Sequence, residues 1–93
     1  MRKIERTTRF RRDYKREVKI YGKAALEAAF IPAIRLLCAD ASLPKSYADH
    51  AMSGNWKDYR DCHIKPDLVL TYQKPDSETL LLVRLGSHSE LGI

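Results

Sequence analysis

Apolar residues in the first quarter of the chain recur every three or four positions, with Arg and Lys between them. This spacing predicts an amphipathic helix with one buried stripe and a basic outer face. Thr7 or Thr8 is placed to cap the start of this helix and Gly22 to end it, and a short strand over residues 2–6 precedes it. The stripe consists of Phe10, Tyr14, Val18 and Tyr21.

A second helical pattern runs from residue 23 to about residue 40. Pro32 lies inside it, and an interior proline removes a backbone hydrogen bond and crowds the preceding turn. We therefore expect a kink at Pro32, or two short helices that meet near Ile31. Two amphipathic helices joined by a tight glycine turn form a helical hairpin, whose apolar side must cover another surface. That side comprises Leu26, Phe30, Ala33 or Ile34, and Leu37.

The pattern changes after residue 40. Residues 41–55 lack periodicity and contain Pro, Gly, Ser and Asp, which predicts a long ordered loop. Three strand candidates follow, over residues 56–64, 67–74 and 79–85, and their short connections favour an antiparallel meander that receives the helices. The remaining tail has room for a turn or for one turn of helix.

Composition is that of a soluble globular domain, with 44% hydrophobic and 31% charged residues. We expect a single domain over residues 1–93. The longest apolar-rich stretch, residues 24–39, is too short and polar to cross a bilayer, and the basic N terminus lacks the apolar core of a signal peptide. The expected compartment is the cytoplasm, with no membrane contact. Cys38 and Cys62 form no metal or redox motif, and we expect both to be reduced and buried.

The net charge of +5 is concentrated at the N terminus. Residues 1–23 contain ten Lys or Arg against three acidic residues, whereas residues 24–93 contain seven against nine. Such a patch attracts polyanions, and nucleic acid is the commonest partner of a small basic domain. An acidic protein partner, or a solvated helix face that confers only solubility, fits the same patch.

All three histidines lie outside the basic hairpin. His50 is in the loop before the sheet, His63 is near the end of the first meander strand, and His88 follows the last strand. A compact meander can bring them to one edge, where Asp67 also begins a strand. Period-two alternation puts Asp61 and His63 on the same face of their strand.

Imidazole is well suited to proton transfer near neutral pH, and a neighbouring carboxylate can orient its ring. The 2′-hydroxyl of RNA attacks the adjacent phosphate when a base, a cation and an acid are supplied, without a metal. Arg84 is a candidate cation because guanidinium matches phosphate geometry. Aromatic candidates for stacking on a base are Tyr47, Trp56 and Tyr59.

Each of these residues also has a structural interpretation. A histidine is often only a surface or hydrogen-bonding residue, Arg84 could form a salt bridge with Asp61 or Glu78, and Trp56 could edge the core. A three-histidine metal site is the sharper alternative, but gaps of thirteen and twenty-five residues match no compact ligand motif. We therefore expect no metal.

Residues 43–91 contain a specific series of motifs. A tyrosine-anchored Asp-His pair and a Gly are followed by an R-x-x-H-x-x-x-D block and a terminal G-[ST]-H. In this order they resemble the YafQ branch of the RelE toxin superfamily, whereas the N-terminal half is similar mainly in element order and in the pattern Phe10-x-x-Asp13-x-Lys15. The segments are Tyr47-Ala48-Asp49-His50, Gly54-Asn55-Trp56, Tyr59 to Leu68, and Arg84-Leu85-Gly86-Ser87-His88.

The resemblance implies an α+β fold of the microbial RNase type, with an N-terminal helical hairpin packed on a twisted, mostly antiparallel four-stranded sheet. It implies a type II toxin that inhibits translation by cleaving mRNA in the ribosomal A site, with no cofactor. The partners it implies are a cognate antitoxin of the DinJ or RelB type, the ribosome and mRNA. Operator DNA is expected to bind only the toxin–antitoxin complex.

The resemblance also assigns roles by position. Asp61 matches an additional active-site acid, and Arg84 matches a phosphate-binding arginine. Trp56 and Tyr59 complete the expected substrate-binding set. The matched catalytic residues are His50, His63, Asp67 and His88.

Either His50 or His63 is expected to assist the 2′-hydroxyl, and His88 to protonate the leaving oxygen. One departure concerns the tail, where Leu91 and Ile93 stand in place of the aromatic residue that such toxins often carry. Two functions of other classes stay open. One is a non-catalytic toxin of the same fold that binds DNA gyrase, which retention of the histidines disfavours, and the other is a plain RNA-binding module.

Overall fold

The N-terminal third folds as the helical pattern predicts. In the computed structural model, which describes residues 1–93, strand β1 (Lys3–Arg6) leads into helices α1 (Thr8–Tyr21) and α2 (Lys23–Cys38). The Thr7 hydroxyl oxygen accepts a hydrogen bond of 2.9 Å from the N–H three residues later, which satisfies a free donor at the start of α1. Gly22 has a φ of 84°, which glycine adopts without steric cost, so the chain passes directly from α1 into α2.

Helix α2 continues through Pro32. The alternative of two short helices that meet near Ile31 is therefore wrong. The physical reason is packing: Phe30 and Ile34, on either side of the proline, are both buried in the core, while Pro32 itself is exposed. Burial of the flanking residues holds the helix together, and Ala28, whose carbonyl lacks its helical partner, is an exposed residue.

The rest of the chain completes a five-stranded sheet of order β1-β5-β4-β3-β2. Strand β1 runs parallel to β5, and all other neighbours are antiparallel. The α+β class and the mostly antiparallel sheet are confirmed, but the expected number of four strands is wrong. The later elements are β2 (His50–Ala51), β3 (Arg60–Lys65), β4 (Leu68–Gln73), β5 (Thr79–Gly86) and the one-turn helix α3 (His88–Leu91).

Strand β2 lies in the segment that was expected to be a loop. It has only two residues and is a strand because it pairs with β3, so it leaves no periodic signal in the sequence. Short 3₁₀ turns at Lys45–Tyr47 and Gly54–Trp56 flank it. The second of these turns explains why β3 begins at Arg60 and not at Trp56.

Helices α1 and α2 supply one wall of the core, and one face of the sheet supplies the other. Along β3, Cys62 and Ile64 are buried in this core, whereas Asp61 and His63 alternate onto the opposite face, here called the open face. Both cysteines are buried and unpaired, as expected, and burial raises the pKa of Cys62 to about 12. None of the helices has the length and apolar content needed to cross a membrane.

A β-bulge in β5 sets the direction of Arg84. Thr71 pairs with Arg84 and Tyr72 with Leu82, so Val83 is an extra residue in β5. The bulge lets Leu82 and Leu85 both enter the core, although three positions separate them, and it leaves Arg84 beside Thr71.

Candidate active site

Three of the four predicted catalytic residues meet at one edge of the open face. The Asp67 carboxylate accepts a hydrogen bond of 3.1 Å from the backbone N–H of His88, and the same oxygen lies 2.7 Å from Nδ1 of the His88 ring. The ring centroids of His63 and His88 are 5.2 Å apart in an edge-to-face arrangement. The side chains of Asp67 and His88 are 68% and 41% exposed, so a substrate can reach the cluster.

Local sequence explains how these residues meet. Asp67 lies in the tight turn between β3 and β4, where register shifts between His63 and Lys65. His88 is the first residue of α3, because the Ser87 side chain caps that helix by accepting the N–H of Glu90. The turn and the cap therefore place a carboxylate and an imidazole side by side.

Hydrogen bonds from the His88 side chain and then from its backbone N–H hold the pKa of the Asp67 carboxyl below its usual range. Asp67 is consequently ionised at neutral pH. An ionised carboxylate 2.7 Å from Nδ1 favours the proton on that nitrogen, and Nε2 of His88 makes no hydrogen bond within the protein.

His50 approaches from the opposite side of β3. Its Cα partner is Asp61, two residues along the strand from His63, and its Nδ1 lies 2.7 Å from the carbonyl oxygen of Ala48. The ring makes no hydrogen bond to either of the other histidines. His50 therefore lies on the same part of the sheet but outside the His63–Asp67–His88 cluster.

The loop that carries His50 is anchored through Asp49. The Tyr72 hydroxyl donates to Asp49 Oδ1 at 2.6 Å, and Nε and Nη2 of Arg60 each lie 3.3 Å from the same carboxylate. Ala48 adopts a left-handed conformation with a φ of 48°, which turns its carbonyl towards the His50 ring. The anchor thus fixes the position from which His50 reaches the open face.

Asp61 on β3 and Arg84 on β5 lie on either side of Thr71 on β4, but their side chains are not partners. Asp61 is only 3% exposed and accepts a 2.8 Å hydrogen bond from the Thr71 hydroxyl, so it lies beneath the surface. Nε of Arg84 donates to Oδ2 of Asp13 on α1 at 2.8 Å. The suggested salt bridge from Arg84 to Asp61 or Glu78 is therefore not formed.

A groove of about 420 Å³ lies beside Arg84 on the open face. Trp56 lines it and is 53% exposed, and its ring centroid is 5.2 Å from that of Tyr59. Tyr47 instead packs against the core and is not part of the groove. The other lining residues are Thr7, Arg9, Met52, Thr71, Val83, Leu91, Gly92 and Ile93.

Sequence reasoning missed the buried polar residues that hold this site. Asp13 and Glu17 follow Phe10 by three and seven positions, which places both on the buried stripe of α1. A charged residue at an apolar spacing was the available signal. Thr71 and Tyr72 gave no such signal, because both are ordinary residues of a strand.

A family model described as a bacterial toxin of the type II toxin–antitoxin system, YafQ, matches residues 2–92. A Haemophilus influenzae protein that carries the YafQ toxin name is 37% identical over 94 residues, or 98% of this chain and 92% of that one. The mRNA interferase toxin YafQ of Escherichia coli K12 is 32% identical over 90 residues, covering 95% and 97% of the two chains.

Solved structures agree with these relatives. A copper-bound mutant toxin from Helicobacter pylori superimposes with a TM-score of 0.90 at 36% identity, covering 98% of this chain and 99% of that one. A chain of the E. coli DinJ–YafQ complex superimposes with a TM-score of 0.81 at 32% identity and 98% coverage of both.

The fold and the matches define a small bacterial toxin of the α+β class. More narrowly, the chain belongs to the YafQ family of toxins from type II toxin–antitoxin systems. The resemblance seen in the motifs of residues 43–91 is thereby confirmed.

Proposed function

We propose that this toxin is an mRNA interferase, a ribosome-dependent endoribonuclease that acts in the cytoplasm, cuts mRNA in the ribosomal A site and so inhibits translation. The observation that carries the proposal is the contact between Asp67 and Nδ1 of His88, with the His63 ring 5.2 Å from the His88 ring. The E. coli relative named an mRNA interferase toxin supports the same chemistry.

The proposed reaction uses the 2′-hydroxyl of the substrate as nucleophile. His50 or His63 accepts the 2′-hydroxyl proton, the 2′-oxygen bonds to phosphorus, and the bond from phosphorus to the 5′-oxygen breaks. His88, protonated and held by Asp67, gives its Nε2 proton to the departing 5′-oxygen. The products are a 2′,3′-cyclic phosphate and a 5′-hydroxyl, and no step requires a metal.

Arg84 and the groove are proposed to hold the substrate. The Arg84 guanidinium is 22% exposed and stabilises the charge that develops on the phosphate. The exposed Trp56 ring, backed by Tyr59, is proposed to stack on a base. Leu91 and Ile93 offer apolar contact where an aromatic residue was expected. Thr71 lines the groove, and the buried Asp61 carboxylate, which accepts the Thr71 hydroxyl, is proposed to hold this part of the groove in place.

Primer extension on a defined mRNA tests the proposal, with and without ribosomes and with 1,10-phenanthroline added, which binds transition metals but leaves the Mg²⁺ that ribosomes need. We expect cuts that need ribosomes, survive phenanthroline and vanish in His88→Ala. Ser89→Ala is the matched control, because Ser89 is exposed on the same helix turn and should cut normally. Cuts that phenanthroline abolishes would refute the metal-free chemistry. Ribosome binding without cuts would instead favour a binding-only module.

The acid role of His88 has its own test. In a substrate whose 5′-bridging oxygen is replaced by sulfur, the leaving thiolate needs no proton. His88→Ala should therefore regain most of its cleavage rate on this substrate. His50→Ala and His63→Ala provide the comparison, since loss of a base should not be rescued. A His88→Ala variant that stays inactive would contradict the assignment.

We propose that a cognate antitoxin of the DinJ or RelB type silences this toxin, as the E. coli DinJ–YafQ complexes suggest. A second groove, of about 750 Å³, has an apolar floor that includes Phe30, Ile34 and Leu82. Strand β1 beside it has only one neighbour, so its other edge is free to pair. The basic residues that line this groove are Arg6, Arg11, Lys15 and Lys23.

An acidic amphipathic segment of the antitoxin fits this groove by charge and by apolar content. The test is titration of toxin with antitoxin, comparing Lys15→Glu with Lys57→Glu, an exposed lysine outside the groove. We expect weaker binding only in the first variant. Equal binding of the antitoxin by both variants would place the antitoxin elsewhere on the toxin.

We propose that operator DNA binds only the toxin–antitoxin complex.

A further inference from the structure

Asp13 is a charged residue in a position that its helix otherwise gives to the core. It lies on α1 and is only 3% exposed. Its Oδ2 accepts hydrogen bonds from Arg84 Nε at 2.8 Å and from the Leu85 N–H at 3.0 Å. Its Oδ1 accepts a bond of 2.9 Å from Arg16 Nη1 and lies 3.4 Å from Arg84 Nη2.

These contacts keep the buried carboxylate ionised. Burial by itself raises the pKa of Asp13, but hydrogen bonds from the Arg84 side chain, the Leu85 N–H and the Arg16 side chain outweigh it, so the pKa is lowered. The negative charge is therefore permanent near neutral pH and faces Arg84.

Part of this arrangement is structural. Beyond the end of β1, strand β5 has no strand on its outer side, and the side chains of Asp13 and Arg16 meet the N–H and C=O of Leu85 there. A neutral amide could accept the same N–H equally well. The charge of Asp13 pairs with two guanidinium groups: Arg16, which also donates to the Leu85 carbonyl, and Arg84, which lines the groove.

Arg84 has no other partner. Nε and Nη2 face Asp13, whereas Nη1 makes no hydrogen bond, and the side chain lines the groove beside Thr71 and Trp56. A guanidinium that is hydrogen-bonded through Nε and Nη2 holds its remaining nitrogen, Nη1, in a fixed direction. That free nitrogen points to a ligand of the phosphate class.

We infer that Asp13 is a positioning residue that holds the Arg84 guanidinium in place for the scissile phosphate of the RNA. The inference rests on the proposed function. Asp13 itself touches no substrate, because it lies behind Arg84 and is buried. Arg16, its other guanidinium partner, does not line the groove, so the effect of the Asp13 charge on cleavage should pass through Arg84.

The test is a double-mutant cycle on single-turnover cleavage of ribosome-bound mRNA. Asp13→Asn keeps the size of the side chain and an acceptor for Leu85 but removes the charge, and we expect the cleavage rate to fall roughly ten- to hundredfold. In an Arg84→Ala background the same change should cause no further loss. Asp40→Asn is the matched control, because Asp40 also pairs with an arginine, Arg2, but is exposed and unconnected to the groove.

Additive losses in the cycle, or an Asp13→Asn variant that cleaves like wild type, would overturn the inference. A second readout does not depend on cleavage. In wild-type toxin the Arg84 Nε–H should give a distinct, slowly exchanging NMR signal, and Asp13→Asn should abolish it without changing the Arg2 signal. A wild-type toxin that fails to cut RNA would sink the proposed function, whereas a rapidly exchanging Arg84 Nε–H would sink this inference.

Discussion

Removal of one hydroxyl group, in Tyr72→Phe, should release the loop that carries His50. Tyr72 is 2% exposed on β4, and burial raises the pKa of its hydroxyl, which therefore remains a donor to Asp49. The donated bond is 2.6 Å long, whereas the Arg60 nitrogens lie 3.3 Å from the same carboxylate. The hydroxyl is thus the shorter and stronger of the two anchors.

The structure gives the size of the effect. A hydrogen bond to a charged acceptor contributes about 1.5–3 kcal/mol to stability. The Asp49 side chain is 25% exposed, so water can solvate the released carboxylate and the lower end of the range applies. We expect Tyr72→Phe to lower the free energy of unfolding by about 1.5 kcal/mol, or the Tm by about 6–12 °C.

Urea unfolding followed by far-ultraviolet circular dichroism measures this loss. Tyr59→Phe is the control, because Tyr59 is half-buried and its hydroxyl makes no hydrogen bond. If the two variants lost the same stability, the Tyr72–Asp49 bond would not anchor the loop. Under the proposed function, Tyr72→Phe should also slow RNA cleavage, since His50 would lose its fixed position.

Three further predictions concern other parts of the molecule. Pro32→Ala should raise the free energy of unfolding by about 1–3 kcal/mol, because it restores a helical hydrogen bond at an exposed position of α2. Urea titration measures this change, and a lower free energy of unfolding in the variant would contradict the prediction. Cys62 should resist an aromatic disulfide reagent in folded protein and react in urea, since burial raises its pKa to about 12, and rapid reaction without urea would show that it is exposed. Hydrogen bonds with His88 lower the pKa of Asp67 in the folded protein. The pair therefore stabilises the fold above pH 3.8, and this stabilisation is lost as the pH falls through the folded-state pKa of Asp67. Asp67→Asn should therefore flatten the acid end of the stability profile in thermal melts at several pH values, and an unchanged profile would rule out the pair as its source.

Features set by neighbouring residues were predictable from the sequence. The Thr7 cap, the Gly22 turn and the helix between them depend on side chains within a few positions of one another. The helix through Pro32 was only half predicted, because its continuity depends on how Phe30 and Ile34 pack against the sheet. Local rules state the cost of a proline but not the packing that offsets it.

Features set by pairing between distant segments were not predictable. Strand β2 exists only through its pairing with β3, and the bulge at Val83 arises from the register between β4 and β5. The contact between Asp13 and Arg84 joins residues 71 positions apart. The predicted meander placed Asp67 and His88 at one edge, where the two side chains are in contact, but the role of Asp13 became visible only when α1 was placed beside β5.

The central claim is that the 2′-hydroxyl of the message is the nucleophile, and one substrate tests it directly. Once primer extension has located the cut, a message with a single 2′-deoxy nucleotide on the 5′ side of that bond can be placed on ribosomes with wild-type toxin. We predict that the all-ribose message is cut and that the substituted message remains intact at that bond. Equal cutting of both messages would contradict the account and indicate hydrolysis by an activated water molecule.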